Sequence, residues 1–216
     1  MELLYSNDSY KLKLYKQNTT ILSVSDADSL FILNELRSKG YDYVSVFEPF
    51  SAENVEKQLS LYGDYHKFLN DFGFAHIENK LINDLTFEDK AIVKIVSELL
   101  KGNEVIIFFD ILTYLNNKTK DKVVKYLKRE SKIFINVTSN EEEFIINEYV
   151  IVLNKKIVAL EGKCYLVMEE EKLLKRLGFS MPFTIDISMQ LKAYGLLDKT
   201  YSDYEVMVSD LWKNKN

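Results

Sequence analysis

Residues 106–116 read Ile106-Ile107-Phe108-Phe109-Asp110-Ile111-Leu112-Thr113-Tyr114-Leu115-Asn116. With Val105 in front, the first part is a five-residue apolar run, too short for a buried helix and rich in branched and aromatic side chains. That pattern predicts a strand buried on both faces. The run ends on one acid and then on turn chemistry. A carboxylate at the carboxyl end of a buried strand stands where open α/β sheets bind ligands and where a metal or a water would be held.

Working outward, the same pattern recurs at 20–24 and 133–137. A helical period follows each run, over 29–38, 117–129 and 141–147, and strands alternating with helices predict an α/β fold with a mostly parallel sheet. Residues 43–47 read as a further strand, stopped by Glu48-Pro49. The segment 85–101 reads as a helix with Ile92, Val93, Val96, Leu99 and Leu100 on one face and Gly102 as its stop. Residues 149–153 and 156–160, joined by Asn154-Lys155, predict a β-hairpin. Beyond Gly162 the period is helical, over 169–177 and 184–194, with Gly178 and Gly195 ending the two pieces. The chain thus divides into a core of residues 1–162 and a helical extension of residues 163–216.

Composition narrows the function. The 216 residues are 47% apolar with only seven glycines and two prolines, so long regular segments and a sizeable core are expected. A net charge of −5 argues against a broad grip on nucleic acid. The basic tail Lys213-Asn214-Lys215-Asn216 reads as a solvated end. One cysteine, Cys164, allows no internal disulfide and suits a reducing compartment. The start MELLYSNDSY lacks the features of a signal peptide, and no apolar run approaches the roughly 20 residues of a membrane span. The expectation is a cytoplasmic protein that reaches a membrane only through a partner. His66 and His76 lack ligand-like neighbours in sequence and read as structural or surface histidines, so no metal site is expected. The aromatics Tyr62, Tyr65, Phe68, Phe72 and Phe74 fall at helical spacing and read as core.

The order of these parts resembles the ATP-binding-cassette (ABC) ATPase family, energy-coupling-factor type. The family's LSGGEKQRVAIARAL is similar to LTFEDKAIVKIVSELL at Leu85. Its DEPTSGLD strand end is similar to IIFFDILTYLN at Ile106, its VTHD to INVTSN at Ile135, and its RIIVLNKGKIVAEG to YVIVLNKKIVALEGK at Tyr149. The C-terminal GFSMPFTIDISMQLKAYGLLDKTYSDYEVMVSDLW looks like the tail of the energy-coupling-factor subgroup. The likeness runs from about Ser23 to Trp212. It implies the P-loop NTPase-like fold of these ATPases, with a shortened helical subdomain between Glu53 and Asp84.

The resemblance also locates what is different. The family's phosphate loop is GxxxxGK followed by Ser or Thr, where glycines open the backbone to phosphate and the lysine reaches it. Here Ser25, Asp26, Ala27, Asp28 and Ser29 stand in that place, with no glycine or lysine. Asp26 and Asp28 are expected to cap the helix with their carboxylates. Without a gap, Phe109 takes the magnesium-site aspartate position and Asp110 that of the water-polarising glutamate. Shifted by one residue, Asp110 takes the first and Ile111 the second. Asn116 stands for the family's dimer-contact aspartate, Ser139 for the switch histidine, and Glu48 for the glutamine-loop residue. In the signature place, Leu85, Thr86, Phe87, Glu88 and Asp89, a ring and a carboxylate replace two glycines.

Two readings of different class follow from the resemblance. In the favoured one the chain is a pseudo-ATPase, without catalytic groups or cofactor. It would bind a second ABC ATPase subunit or a transmembrane coupling subunit, with a homodimer also open. In the other it is an altered ATPase subunit that uses ATP and magnesium to couple hydrolysis to uptake.

Overall fold

The computed structural model describes residues 2–213. The strands are β1 (Leu3–Asn7), β2 (Leu12–Tyr15), β3 (Thr19–Ser23), β4 (Tyr43–Val44), β5 (Val105–Phe109), β6 (Ile133–Thr138), β7 (Tyr149–Asn154) and β8 (Ile157–Lys163). The helices are α1 (Asp26–Ser38), α2 (Val55–Ser60), α3 (His66–Phe72), α4 (Phe87–Leu100), α5 (Asn117–Arg129), α6 (Cys164–Glu169), α7 (Glu171–Arg176), α8 (Phe183–Ala193) and α9 (Tyr204–Lys213). Six strands form one sheet in the order β4-β5-β6-β3-β7-β8, and β1 and β2 form a separate antiparallel pair. β4, β5, β6, β3 and β7 run parallel, and only β8 runs against its neighbour. This is the expected α/β class with a mostly parallel sheet.

The opening stretch behaves as its pattern dictates. Side chains alternate across a strand, so Ile106 and Phe108 join one core while Ile107 joins the other. The first core packs α2, α3, α4 and α5 against Phe108 and Phe134. The second packs α1 and the β1–β2 pair against Ile21, Ile107, Ile135 and Ile151. Helix α4 lies deepest. Ala91 and Ile95 are buried along with Ile92, Val93, Val96 and Leu99, so it is covered on more than the one face its periodicity indicates. The segment after Gly162 packs Val167, Met168, Leu174, Phe179, Met181 and Ile185 against Leu22, Val150 and Val152 of the sheet. Leu197, Tyr201 and Met207 make a small cluster of their own with Ile187 and Leu191.

Several boundaries differ from expectation. The edge strand expected over 43–47 stops at Val44, because β4 has a partner on one side only and Ser45 onward turns away. The helix expected over 141–147 is a 3-10 turn, Glu141–Ile146. The helix expected over 169–177 is broken at Glu170 into α6 and α7. α1 begins at Asp26, three residues before the expected Ser29. The β7–β8 turn is Lys155-Lys156 and not Asn154-Lys155, with both φ values positive at 51° and 66°. Such values suit the right-handed twist of a two-residue hairpin. Of the five aromatics expected in the core, Tyr65, Phe72 and Phe74 are buried and Phe68 packs partly against them. Tyr62 lies at the rim under the Lys101 ammonium. Most of the basic tail, residues 214–216, lies outside the described residues.

Candidate functional site at the carboxyl edge of the sheet

The carboxyl ends of β3, β5 and β6 converge, and the residues singled out in sequence collect there. Asp110 follows β5 directly and adopts a left-handed backbone, φ 50° and ψ 9°. Its backbone N–H donates to Val137 O at 3.0 Å, which holds the turn against β6. The Thr138 hydroxyl donates to the Asp110 carboxylate at 2.8 Å, and the Ser139 backbone N–H also donates to it. Burial raises the carboxyl above its ordinary range; these two hydrogen bonds oppose the shift, and nearby Glu143 and Asp26 add to it. Ser139 itself is exposed.

β3 leads into α1 through Val24 and Ser25 alone. Ser25 is the N-cap, and its side chain accepts the Asp28 N–H at 3.3 Å. The expectation that Asp26 and Asp28 cap this helix is therefore corrected. Asp28 is only 2% exposed. Its carboxylate accepts the Ser25 hydroxyl at 2.9 Å and the Lys156 backbone N–H at 2.6 Å. Serine serves as the cap because its short side chain reaches the third N–H of the helix, while a residue already inside the first turn points away from it. Asp26 and Ala27 are exposed. Ser29 is buried, with its N–H on Ser25 O.

The segment Leu85-Thr86-Phe87-Glu88-Asp89 starts α4. Thr86 and Asp89 form a reciprocal capping box, each side chain accepting the other's backbone N–H at 3.1 Å. Glu88 accepts Asn116 Nδ2 at 2.6 Å and Asn116 N at 3.1 Å, which ties this helix start to the turn after β5. Asn116 in turn caps α5 through Thr119 N. Phe87 stacks on Tyr114, ring centroids 5.3 Å apart and planes at 28°. Phe47, from the turn after β4, packs against both rings at 5.9 and 6.2 Å. Glu48 is paired with Arg37 at 3.3 Å and points away from this edge toward α1.

One group of residues escaped the sequence reading. Glu143 is fully buried and accepts from Thr113 Oγ1 (3.0 Å), Lys120 Nζ (3.1 Å) and Asn136 Nδ2 (2.7 Å). It lies beneath Asp110 and joins the turn after β5, α5 and β6. The run Glu141-Glu142-Glu143 offers three equivalent acids, and only a regular helical period would have told the inward one apart; this segment is not regular. Thr138 was likewise not singled out. Among the described residues no group of three or more His, Cys, Asp or Glu is placed to hold a metal. His66 lies beside Glu78, 3.1 Å from its carboxylate. Burial pushes the Cys164 thiol up to about 12, which leaves it protonated and unreactive near neutral pH. No described helix is long and apolar enough to cross a membrane.

No family model matches the chain. Among curated proteins it is 32% identical over 127 residues to the energy-coupling factor transporter ATP-binding protein EcfA1 of Mesomycoplasma hyopneumoniae, a match covering 57% of this chain and 45% of the relative. It is 26% identical over 178 residues to EcfA1 of Mycoplasmopsis synoviae, covering 81% and 56%. The chain thus spans about half the length of the curated relatives it matches. In fold it is similar to cbiO1 of Clostridium perfringens, described as part of the ABC transporter complex cbiONQ. The TM-score is 0.57 at 16% identity, over 80% of this chain and 88% of that one. It is also similar to the dimeric ABC transporter cassette MJ0796, at a TM-score of 0.56 and 18% identity over 71% and 89%. The order of parts in sequence and these likenesses agree: the chain shares the fold of the ABC ATPase family, and its sequence is similar to that of energy-coupling-factor ATP-binding proteins.

Proposed function

We propose that the chain is a non-catalytic, pseudo-ATPase member of that family that works by binding another protein. The observation that carries this reading is Asp28. In an active relative the first turn of this helix and the loop before it would receive phosphate on backbone N–H groups and a lysine. Here two residues join strand to helix, no lysine is present, and a buried carboxylate fills the first turn with hydrogen bonds to Ser25 and Lys156. A triphosphate brought there would meet negative charge and no glycine-opened backbone, so the residues present do not fit Mg-ATP. Asp110, with no second acid beside it on β5, is a remnant of a metal site.

The partner is a second ABC ATPase subunit or a transmembrane coupling subunit, and contact with such a subunit would hold the chain at the cytoplasmic face of a membrane. The transporter setting is drawn from the relatives' names. We further propose that residues 1–162 form the ATPase-like core and residues 163–216 an extension through which two copies can pair. Phe183 and Tyr194 are its exposed anchors, 60% and 81% accessible. Ile187 and Leu191 of the same helix pack within the extension instead.

The rival reading, an altered ATPase that couples hydrolysis to uptake, rests on the hydrogen-bonded Asp110–Thr138 pair at the strand ends. Thermal-shift and calorimetric titration with ATP, with and without magnesium, separates the two. No saturable binding at micromolar ATP is expected, and clear Mg-ATP stabilisation would sink the pseudo-ATPase reading.

A further inference from the structure

Three exposed or half-exposed rings from three separate segments meet at the carboxyl edge of the sheet. Phe47 is 68% and Phe87 54% accessible, and Tyr114 joins them. Large exposed rings that pack on one another form a continuous apolar patch, and such patches mark contact surfaces. The carboxylates beside this ridge are unneutralised. Glu88 sits next to Phe87 and is held only by Asn116. Asp110 lies close enough to Tyr114 to disfavour its ionisation, and Asp26 lies close enough to Asp110 to disfavour that of the aspartate. Among the described residues none of the three carboxylates has a salt bridge, and the cation over the ridge, the Lys90 ammonium, is 5.7 Å from the centre of the Phe87 ring.

We propose that this ridge is the docking site for a segment of a different protein that carries basic side chains, arginine above all, between apolar ones. Apolar side chains would cover Phe47, Tyr114 and Phe87. A guanidinium would pair with Glu88 or Asp110 while stacking on a ring, a geometry that suits arginine better than lysine. Charge selects against a second copy. A two-fold contact between identical ridges sets like surfaces against each other, and would oppose Asp26, Glu88 and Asp110 to their own counterparts. The inference rests on the reading of the chain as a partner-binding subunit and names the surface that does the binding.

The test uses the full chain and two probe peptides, Leu-Arg-Leu-Leu-Arg-Leu and Leu-Glu-Leu-Leu-Glu-Leu, followed by backbone amide chemical shifts. The basic peptide is expected to bind saturably below millimolar concentration, with shifts concentrated at 46–48, 86–90 and 113–116. The paired change Phe47→Ala, Phe87→Ala is expected to weaken it at least tenfold; both rings are exposed, so the fold is retained. Glu88→Gln, which keeps the acceptor for Asn116, is expected to weaken it and to flatten its salt dependence. Equal binding of the acidic peptide, shifts centred elsewhere, no saturable binding, or self-association abolished by Phe87→Ala would each overturn the proposal. Mg-ATP titrated alone keeps the two readings apart. Its binding would count against the pseudo-ATPase, whereas silence from both Mg-ATP and the basic peptide would remove the ridge alone.

Discussion

The backbone N–H of Lys156 donates to the Asp28 carboxylate at 2.6 Å, joining the first turn of α1 to the β7–β8 turn across 128 residues of sequence. Both turn residues, Lys155 and Lys156, hold a left-handed backbone that glycine or asparagine adopts more readily. The charge-assisted bond from Asp28 offsets part of that cost and satisfies a donor at the hairpin tip. The same carboxylate occupies the first turn of α1, where it also accepts the Ser25 hydroxyl at 2.9 Å. Under the pseudo-ATPase reading, one side chain thus serves the fold at the place where a nucleotide would otherwise be held.

Replacing Asp28 with alanine leaves the Lys156 N–H and the Ser25 hydroxyl without their acceptor. A loss of about 1–3 kcal/mol is expected, the usual cost of orphaning a buried polar group. Urea unfolding measures it. Because the lysine and glycines are still missing, the variant should gain no affinity for Mg-ATP in the same thermal-shift assay.

Lys120→Met leaves the buried Glu143 with only Thr113 and Asn136 as neutral donors. Removing one partner of a buried ion pair costs about 3–5 kcal/mol, and the lower end is expected here because Lys120 keeps some exposure to water. Lys120→Met with Glu143→Gln together should cost less than the sum of the two single changes. A double-mutant cycle in denaturant reports the coupling, and simple additivity would show that the pair contributes nothing.

The carboxyl of Asp110 is held above its ordinary range by burial. Its folded-state pKa therefore exceeds the unfolded one, and the folded state binds the proton more tightly. Stability is expected to fall as pH rises through the window between the two values, and the penalty is complete above both. Asp110→Asn keeps an acceptor for the Thr138 hydroxyl and carries no charge. It should raise the thermal midpoint relative to the parent at neutral pH, with the gain shrinking as pH drops into the ordinary carboxylate range. An equal gain at every pH would show that ionisation of Asp110 is not the cause.

The extension offers a direct test of pairing. Phe179, Met181 and Ile185 are buried against the sheet, so cutting the chain after Gly178 would uncover core as well as remove anchors. Point changes are cleaner. Phe183→Ser with Tyr194→Ser should shift a dimer to monomer in light scattering, with the circular dichroism spectrum unchanged. A dimer that survives both changes would move the contact away from α8.

The sequence by itself determined the strand Val105–Phe109, the helix Asn117–Arg129 and the hairpin beyond Asn147, because their patterns are local. A run of branched residues or a 3.6-residue period needs no distant partner to be read. It also placed Asp110, Ser25 and Thr86 at element ends, where polar residues follow apolar ones. Between Glu53 and Asp84 it indicated helical spacing but not the bounds of the short helices α2 and α3, and the β1–β2 pair escaped it. They are only four to seven residues long, and segments of that length take their structure from what they pack on.

Tertiary structure alone decided which acid does what. Asp28 rather than Asp26 turns inward because Lys156 N–H waits there. Glu143 rather than Glu141 or Glu142 is buried because Lys120, Thr113 and Asn136 converge on it. Phe47, Phe87 and Tyr114 become one ridge because the turn after β4, the start of α4 and the turn after β5 lie side by side. Apart from Asn136 and Glu143, seven positions apart, each of these contacts joins residues 23 or more positions apart. A carboxylate or a ring looks the same in sequence whether or not its partner arrives, and only the packing of the sheet and its helices brings that partner within reach.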